Sequence, residues 1–473
     1  MTRGKMKMVG PDPQQQKSEP ERTCPPGYRL LRLFTDIRPG EASKALLLTF
    51  NIFLLLLAYY IIKPVRDALI LAGRGAEIKS YLAGAQAILL ILVIKAFSFL
   101  ASRVPRHLLI TWVTLFFISN LIIFYILNMA GVPLGTMGII FFIWIGIYNL
   151  LVPAQFWGFA NDLYSDEEGR RLFPLIAFGA TSGAVFGSRI AGWLIRPIGL
   201  YSLMLVSAAI LGLCILLAIH IHKRELKHIA RDGLSPVELE QKKIEQEKPL
   251  KKGGGFRLVF KSRYLLLIAL VIGLYNFINA TGEYILSNVV TRTASQAVAA
   301  GLAGGLDLKE YIGKFFAEYQ FLTNLIALVL QLFLVSRIFK WIGVGGALLI
   351  FPFIALGGYG FIAVGASLLL IKWVKALENG TDYSLMNTTK HALFLITSRE
   401  EKYKAKAAID TFFVRGGDVI AALGIFLGTT YLAFNVEKFA RVNILGVLVW
   451  ITLSLLIISE YKNLRKKTQP ERS

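Results

Sequence analysis

Charged side chains stand inside or at the ends of long apolar stretches of this sequence, and the most closely spaced are Lys63, Arg66 and Asp67. They fall within about one helical turn if a helix continues past Pro64. Two cations against one anion leave positive charge, and lysine and arginine donors match phosphate oxygens well. The group therefore predicts a site for a multiply anionic substrate, unless its cations only extend to water at the end of the helix.

A second set of ionisable residues lies in the later part of the chain. Glu283 stands deep in an apolar stretch that also holds Asn276 and Asn279. The other members are Lys372, Lys375, Glu378 and Asp382, spaced for one helix face, followed by Lys390, Asp410, Arg415 and Asp418. A charge at the centre of a membrane helix costs about 2.5–3.5 kcal/mol, so such groups pair or line cavities. We expect either internal salt bridges or a site for a phosphorylated anion.

The elements that must position these residues are apolar. Of the 473 residues, 55% are hydrophobic and 17% are charged, and the mean hydropathy is +0.57. Soluble domains carry about 45–50% apolar and about 25% charged residues. The composition therefore excludes a soluble enzyme and predicts an integral membrane protein. The net charge of +22 lies mostly between apolar runs, so topology explains it and we expect no nucleic-acid partner.

About twelve apolar runs, each near the length of a membrane helix, follow a polar and basic stretch over residues 1–43. The first six cover 44–63, 80–101, 108–128, 138–160, 173–195 and 201–221, and the second six cover 264–287, 315–336, 343–366, 367–396, 407–432 and 442–460. The sequence thus predicts an all-α integral membrane fold surrounded by lipid. Residues 1–43 have no apolar core of the signal-peptide kind and are expected to form a cytoplasmic tail.

Basic residues indicate the orientation of the runs. Residues 222–263 carry twelve bases against six acids, which is typical of a cytoplasmic loop because lysine and arginine are poorly translocated. The same rule places the tail 461–473 and both termini in the cytoplasm. The interval 64–79, read as a loop on the opposite side, is a mild exception because it contains Arg66, Arg74 and Lys79. We treat that exception as a functional clue.

Six runs on each side of a basic linker predict two fused halves, 44–221 and 264–460. The charged segments 165–171 and 398–404 occupy equivalent places in the halves, although short charged loops often look alike. Parallel halves would place a binding site between them near the membrane midplane. Gly179, Gly183 and Gly187 form a repeated small-residue stripe that favours close helix packing.

Several kinds of chemistry have no motif here. Cys24 and Cys214 are too few for a disulfide framework or a zinc site, and five histidines are scattered. The dipeptide Gly313-Lys314 lacks the glycine and the hydroxyl residue that a phosphate-binding P-loop requires. We therefore expect a protein that is not an enzyme and has no cofactor or metal. Any transport would be driven by exchange or by an ion gradient.

Four segments carry a resemblance to a known family. Residues 155–162 (QFWGFAND) with 170–175 (RRLFPL) resemble the FWGFAN…KRFYPLFG signature of the ATP/ADP translocases, the nucleotide transporters of plastids and intracellular bacterial parasites. Residues 60–71, 389–392 and 402–410 resemble three further motifs of that family, in the same order. The resemblance implies a major-facilitator-like bundle of about twelve helices that exchanges nucleotides across a membrane.

The resemblance also carries over individual residues. Arg66 takes the place of a family lysine, Lys63 that of a family arginine, and Glu283 that of a family glutamate. Lys390 matches the lysine of a T-K-E motif in which His391 replaces the acid. A further family acid falls near Ile145, where this sequence has no carboxylate. The candidate substrate-binding residues are Lys63, Arg66, Asp67, Asn161, Glu283, Lys390, Asp410 and Arg415.

Three hypotheses follow from the sequence. The first is a nucleotide antiporter of the ATP/ADP type that works by alternating access in a bacterial cell membrane. The second is a proton-coupled transporter of another phosphorylated anion, with Glu283 as the proton carrier. The third is a bundle without transport activity whose 222–263 loop docks anionic lipid or a partner. The sequence sets no oligomeric state, and a monomer is compatible with it.

Overall fold

The computed structural model describes residues 41–231 and 254–468, apart from positions 102, 105, 165 and 399. All regular secondary structure in these residues is helical. The helices are α1 Glu41–Ala101, α2 Arg106–Met129, α3 Leu134–Leu163, α4 Asp166–Ile198, α5 Ser202–Arg231, α6 Gly255–Lys261, α7 Arg263–Ala299, α8 Leu308–Val329, α9 Val335–Ala363, α10 Leu368–Thr381, α11 Asn387–Leu393, α12 Lys406–Ala408, α13 Val414–Thr430 and α14 Val436–Thr468. Wider π-helical turns occupy Leu330–Leu334, Asp382–Met386, Glu401–Ala405 and Ile409–Phe413.

Eight helical stretches of the described residues are long and apolar enough to cross a membrane. Two of them, Glu41–Phe97 and Leu308–Ala363, contain 57 and 56 residues. At 1.5 Å per residue each is about 85 Å long, far more than a bilayer core of about 30 Å. Each contains one glycine with a positive φ angle, Gly75 (83°) and Gly343 (66°), where the helix direction breaks. Each can therefore cross twice, and the total of twelve crossings stays a prediction.

The boundary between the first two runs differs from the sequence prediction. Residues 64–79 were expected to form a loop, but α1 is helical through this interval except at Gly75. Pro64 lies inside the helix, as membrane helices tolerate because neighbouring groups satisfy the freed carbonyl. The basic residues that seemed to stand outside the membrane, Lys63, Arg66 and Lys79, consequently belong to helical segments. This removes most of the exception to the charge rule.

Helices also extend into segments that were assigned to loops and tails. Helix α5 continues to Arg231, α7 begins at Arg263, and α14 continues to Thr468. Residues 232–253 of the predicted linker lie outside the described residues, as do residues 1–40 of the predicted N-terminal tail and 469–473 of the C-terminal tail.

The glycine stripe of α4 packs directly on the first part of α1. A Cβ atom added at Gly179 would lie 2.6 Å from the Thr49 carbonyl oxygen, and one at Gly187 would lie 2.5 Å from that of Leu57. Only glycine allows two helix backbones to approach this closely. The stripe fixes α4 against α1 and thereby sets the height of Lys63 and Arg66 within the bundle.

We call residues 41–231 the N half and residues 254–468 the C half. We call the end of the bundle where α1 turns at Gly75 the closed end. Side-chain hydrogen bonds join described residues of the N half to those of the C half, from the middle of the bundle to this end. The bonds are Lys79–Ser287 (2.9 Å), Tyr284–Glu77 (3.1 Å), Asn288–Glu77 (3.4 Å), Tyr81–Thr429 (3.3 Å), Gln320–Asp67 (3.4 Å) and Asn324–Ser188 (3.1 Å), with Asn324 also donating to the Ala184 carbonyl (3.3 Å). The halves are thus held together at one end.

Candidate functional site

Five ionisable residues gather between the halves and two more lie directly behind them in the C half, and we call all seven the central cluster. Its bases are Lys63, Arg66, Lys79 and Lys375, and its acids are Asp67, Glu283 and Glu378. Four positive charges against three negative charges leave one positive charge. Because buried charge is costly in a membrane bundle, such a concentration favours a substrate or ion pathway.

Asp67 is the centre of the N-half part of this cluster. Its carboxylate accepts hydrogen bonds from the neighbouring Arg66 guanidinium (2.9 Å) and forms an ion pair with the Lys79 ammonium (3.1 Å). It also accepts from Nε2 of Gln320 on α8 of the C half, at 3.4 Å. The Asp67 side chain is only 2% exposed, so two cations and an amide replace its lost hydration. One carboxylate therefore joins two basic residues of α1 to the opposite half.

Lys79 is a member of the cluster that the sequence analysis did not select. Its ammonium donates to the Ser287 hydroxyl of α7 at 2.9 Å and lies 4.8 Å from the ring centre of Phe316 on α8. The break at Gly75 folds the second part of α1 back alongside the first, which brings Lys79 to Asp67 twelve positions earlier. The basic character of the interval was the available signal, but its assignment to a loop concealed the contact.

Lys63 differs from the other cations of the cluster. Its ammonium lies 4.8 Å from the ring centre of Tyr60 and 6.0 Å from that of Tyr59. The charges of Arg66, Asp67, Glu283 and Lys79 act on it, yet no carboxylate of the described residues forms an ion pair with it. Lys63 therefore has ammonium hydrogens free to donate to an incoming anion.

Glu283 faces the same space from α7 of the C half. Its carboxylate accepts hydrogen bonds from Nδ2 of Asn379 on α10 (2.9 Å) and from the Tyr319 hydroxyl on α8 (3.2 Å). Asn379 also donates to the Tyr319 hydroxyl at 2.6 Å. Three helices thus orient this carboxylate, and the charges of Lys375, Lys79 and Asp67 act on it.

Behind Glu283, Lys375 and Glu378 form an ion pair inside the C half. Their charged atoms are 2.9 Å apart, and the side chains are 0% and 2% exposed. Lys375 also donates to Asn279 (3.3 Å), and the Tyr359 hydroxyl donates to Glu378 (3.3 Å). The stripe on α10 is therefore in part an internal salt bridge, which is one of the two alternatives left open by the sequence.

The remaining predicted residues lie away from the cluster, toward the end opposite the closed end. Lys390 donates to the Tyr275 hydroxyl (3.1 Å) and lies 3.8 Å from the Asp382 carboxylate. Tyr275 precedes Glu283 by eight residues on α7, which is about 12 Å along the helix axis. The structure therefore places Lys390 in the C half at a different height from Arg66, so the two do not form one contact.

The last three predicted residues are also outside the central cluster. Arg415 lies 3.5 Å from Asp418, which also accepts from Nδ2 of Asn276 at 2.8 Å. Asp410 is exposed in the π-helical turn Ile409–Phe413, and Asn161 is exposed near the end of α3. Of the eight candidates, the structure brings together Lys63, Arg66, Asp67 and Glu283.

The fold and this site together define the class of protein. A helical membrane bundle of two halves that enclose a cluster of paired and unpaired charges is the architecture of a solute transporter.

Solved structures agree on the fold. The nucleoside transporter NupG superposes with a TM-score of 0.59 over 89% of this chain and 99% of its own, at 12% identity. A bacterial homologue of the human lysosomal transporter Spinster, in an inward-facing conformation, gives 0.52 over 91% and 98%, at 14% identity. The major-facilitator-like fold is thereby confirmed.

Sequence comparison then gives the family. The family model described as "TLC ATP/ADP transporter" matches residues 137–461, and the chain belongs to this family. ADP,ATP carrier protein 1 of Chlamydia pneumoniae is 24% identical over 84% of this chain and 87% of its own length. The resemblance seen in the sequence motifs is confirmed, and the low identity makes this chain a divergent member.

Proposed function

We propose that this chain exchanges ATP for ADP across a membrane by alternating access, and that the polyphosphate binds between the halves at Lys63 and Arg66. The observation that carries the binding site is the free ammonium of Lys63. Arg66, Lys79 and Lys375 each have a carboxylate partner within 3.1 Å, whereas Lys63 has none among the described residues. A phosphate oxygen can supply Lys63 with the missing anion before any existing ion pair is broken.

Asp67 gives the site a way to respond to this anion. A polyphosphate bound to Lys63 also experiences the positive charges of Arg66 and Lys79, which act on Lys63. It competes with Asp67 for Arg66 and Lys79, because phosphate oxygens and carboxylates accept the same charge-assisted hydrogen bonds. Loss of the Asp67 contacts weakens the closed end, where Asp67 also holds Gln320. Substrate binding would thus favour opening of the closed end, as exchange requires.

Glu283 would limit how much negative charge the site accepts. It faces the cations of the N half while Asn379 and Tyr319 fix its carboxylate. In that position it excludes a second polyanion and limits the site to one nucleotide at a time. Lys390, Arg415, Asp410 and Asn161 lie toward the opposite end of the bundle, where we propose that they contact nucleotides on their way to the cluster.

We propose that both termini lie in the cytoplasm, because the segment 222–263 and the C-terminal tail are basic and lysine and arginine are poorly translocated. The closed end then faces outward, so that this conformation is closed toward the outside. We also propose a bacterial cell membrane as its location, because the similar carrier protein of Chlamydia pneumoniae is bacterial.

Exchange measured with a lysine variant tests the binding site. Radiolabelled ATP uptake into liposomes loaded with ADP is compared for the wild type, Lys63→Met and Lys438→Met. Lys438 is a matched control, since its ammonium also lies over an aromatic ring, that of Phe434 at 5.7 Å, but outside the cluster. We expect Lys63→Met to weaken ATP binding about tenfold to a hundredfold, as loss of a charge-assisted hydrogen bond predicts. Equal rates in all three proteins would contradict the site.

The proton-coupled alternative gives a different result in the same vesicles. Uptake that needs no internal nucleotide and stops when a protonophore is added would support a symporter for a phosphorylated anion. Exchange between nucleotides should continue after that treatment, because the gradient of one nucleotide drives the other.

A further inference from the structure

Tyr383 of the C half has an exposed aromatic ring and lies four residues after Asn379, where the helix becomes irregular. Helix α10 changes to a π-helical turn at Asp382–Met386, and Tyr383 lies in this turn. π-helical turns inside α-helices occur frequently at functional sites. Tyr383 is 45% exposed, although the residues on either side of it, Asp382 and Ser384, are buried. The turn therefore presents one large side chain out of an otherwise packed segment.

Tyr383 lies on the helix face that carries Asn379, about one helical turn earlier, whose amide donates to Glu283 of α7 at 2.9 Å. Tyr59 and Tyr60 of the N half, and Glu283 and Asp382 of the C half, are near enough to act electrostatically on its hydroxyl. These two observations together indicate that the exposed ring faces the space between the halves.

The ring of Tyr383 is partly exposed and has no stacking partner: within the described part of the chain, no aromatic ring stacks on it and no cation lies over it. In contrast, Tyr60 stands edge-on to Tyr59, with ring centres 5.2 Å apart, and has the Lys63 ammonium 4.8 Å from its ring centre. Glu283 is a neighbour of both Lys63 and Tyr383. A ligand whose anionic end meets Lys63 can therefore place a flat group against Tyr383.

We propose that Tyr383 is the residue that recognises the nucleobase, by stacking its ring against the base while the phosphates contact Lys63. This inference rests on the proposed function and adds recognition of the uncharged, planar part of the substrate. Stacking on an aromatic ring contributes roughly tenfold to a hundredfold in affinity and tolerates different bases. The ring, rather than the hydroxyl, does the binding, so phenylalanine should serve almost as well.

Affinities of two ligands separate this role from a general structural one. The full-length protein and the variants Tyr383→Ala, Tyr383→Phe and Tyr431→Ala are titrated with ATP and with inorganic tripolyphosphate, which has the phosphates but no base. Tyr431 is the control, because it is also exposed (70%) but lies at the end of α13. Thermal unfolding of each variant without ligand shows whether it is folded.

We expect Tyr383→Ala to lose about tenfold or more in ATP affinity and to bind tripolyphosphate like the wild type. Tyr383→Phe and Tyr431→Ala should retain ATP binding. Equal losses for ATP and tripolyphosphate, an unchanged ATP affinity in Tyr383→Ala, or a large loss in Tyr383→Phe would each overturn the stacking role. A wild-type protein that binds tripolyphosphate as tightly as ATP would refute the base site alone. A wild type that binds no nucleotide would refute the proposed function as well.

Discussion

Replacing Asp67 by asparagine should open the closed end of the bundle. Asp67 is buried, holds Arg66 and Lys79 by ion pairs, and accepts a hydrogen bond from Gln320 of the opposite half. Asparagine has the same shape but no charge. The substitution therefore removes the anion that positions Lys79 without creating a cavity.

The size of the effect follows from these contacts. The bond from Gln320 changes from a charged to a neutral acceptor, which lowers its contribution by about 1 kcal/mol. Lys79 loses its ion pair and with it the position that places its ammonium 2.9 Å from Ser287, a charged hydrogen bond of about 1.5–3 kcal/mol. Together these contacts stabilise the closed end by about 2.5–4 kcal/mol, which is roughly seventyfold to a thousandfold in the equilibrium between closed and open.

Labelling of a cysteine at the closed end measures this equilibrium. Thr429 is a suitable position, because its hydroxyl lies 3.3 Å from that of Tyr81 of the N half at the closed end. Thr429→Cys is made with Cys24 and Cys214 replaced by serine and is treated with a membrane-impermeant maleimide. Asp67→Asn should accelerate labelling by at least tenfold.

The control for this experiment is Glu225→Gln. Glu225 pairs with Lys44 at 2.9 Å within the N half, and both side chains are about a quarter exposed. Such a pair contributes about 0–1 kcal/mol, so labelling should not change. The same labelling rate in the parent, Asp67→Asn and the control would refute the assignment of Asp67 to the closed end.

Two further predictions concern charge and packing. Arg66→Ala should weaken binding, with a larger loss for ATP than for AMP, Arg66→Lys should be milder because it keeps the charge, and Lys390→Ala, outside the central cluster, should change affinity less than Arg66→Ala; titrations with ATP, ADP and AMP decide this, and equal losses that follow the folded yield would refute a phosphate contact. Gly187→Leu should lower the melting temperature strongly, because even its Cβ would lie 2.5 Å from the Leu57 carbonyl oxygen; Gly212→Ala, where no atom lies within 4 Å of the added Cβ, should have little effect, and equal melting temperatures would contradict the packing of α4 on α1.

Much of the fold could be predicted from local sequence. Apolar runs define the membrane helices because a backbone in lipid must satisfy its own hydrogen bonds. The glycine stripe predicted a close helix contact, which α4 makes with α1. The loop prediction for 64–79 was wrong because proline and charged residues often end helices in soluble proteins but are tolerated inside this membrane helix.

The candidate site was only partly readable, for a different physical reason. Lys63, Arg66 and Asp67 are neighbours in sequence, so helical spacing alone brought them together. Lys79 reaches Asp67 only because α1 folds back at Gly75, and Gln320 reaches it only because the halves meet. Tyr383 has no sequence signal, since an aromatic residue in an apolar run is ordinarily packed and the π-helical turn that exposes it depends on its neighbours.

The most direct test of nucleotide exchange is whether ATP uptake depends on nucleotide inside the vesicle. The wild-type protein is placed in liposomes that contain ADP, inorganic phosphate or buffer alone, and initial uptake of radiolabelled ATP is measured with and without a protonophore. Nucleotide exchange predicts rapid uptake only with internal ADP, release of ADP in equal amount, and no effect of the protonophore. Uptake that is the same in all three kinds of liposome, or no uptake of ATP in any of them, would contradict nucleotide exchange.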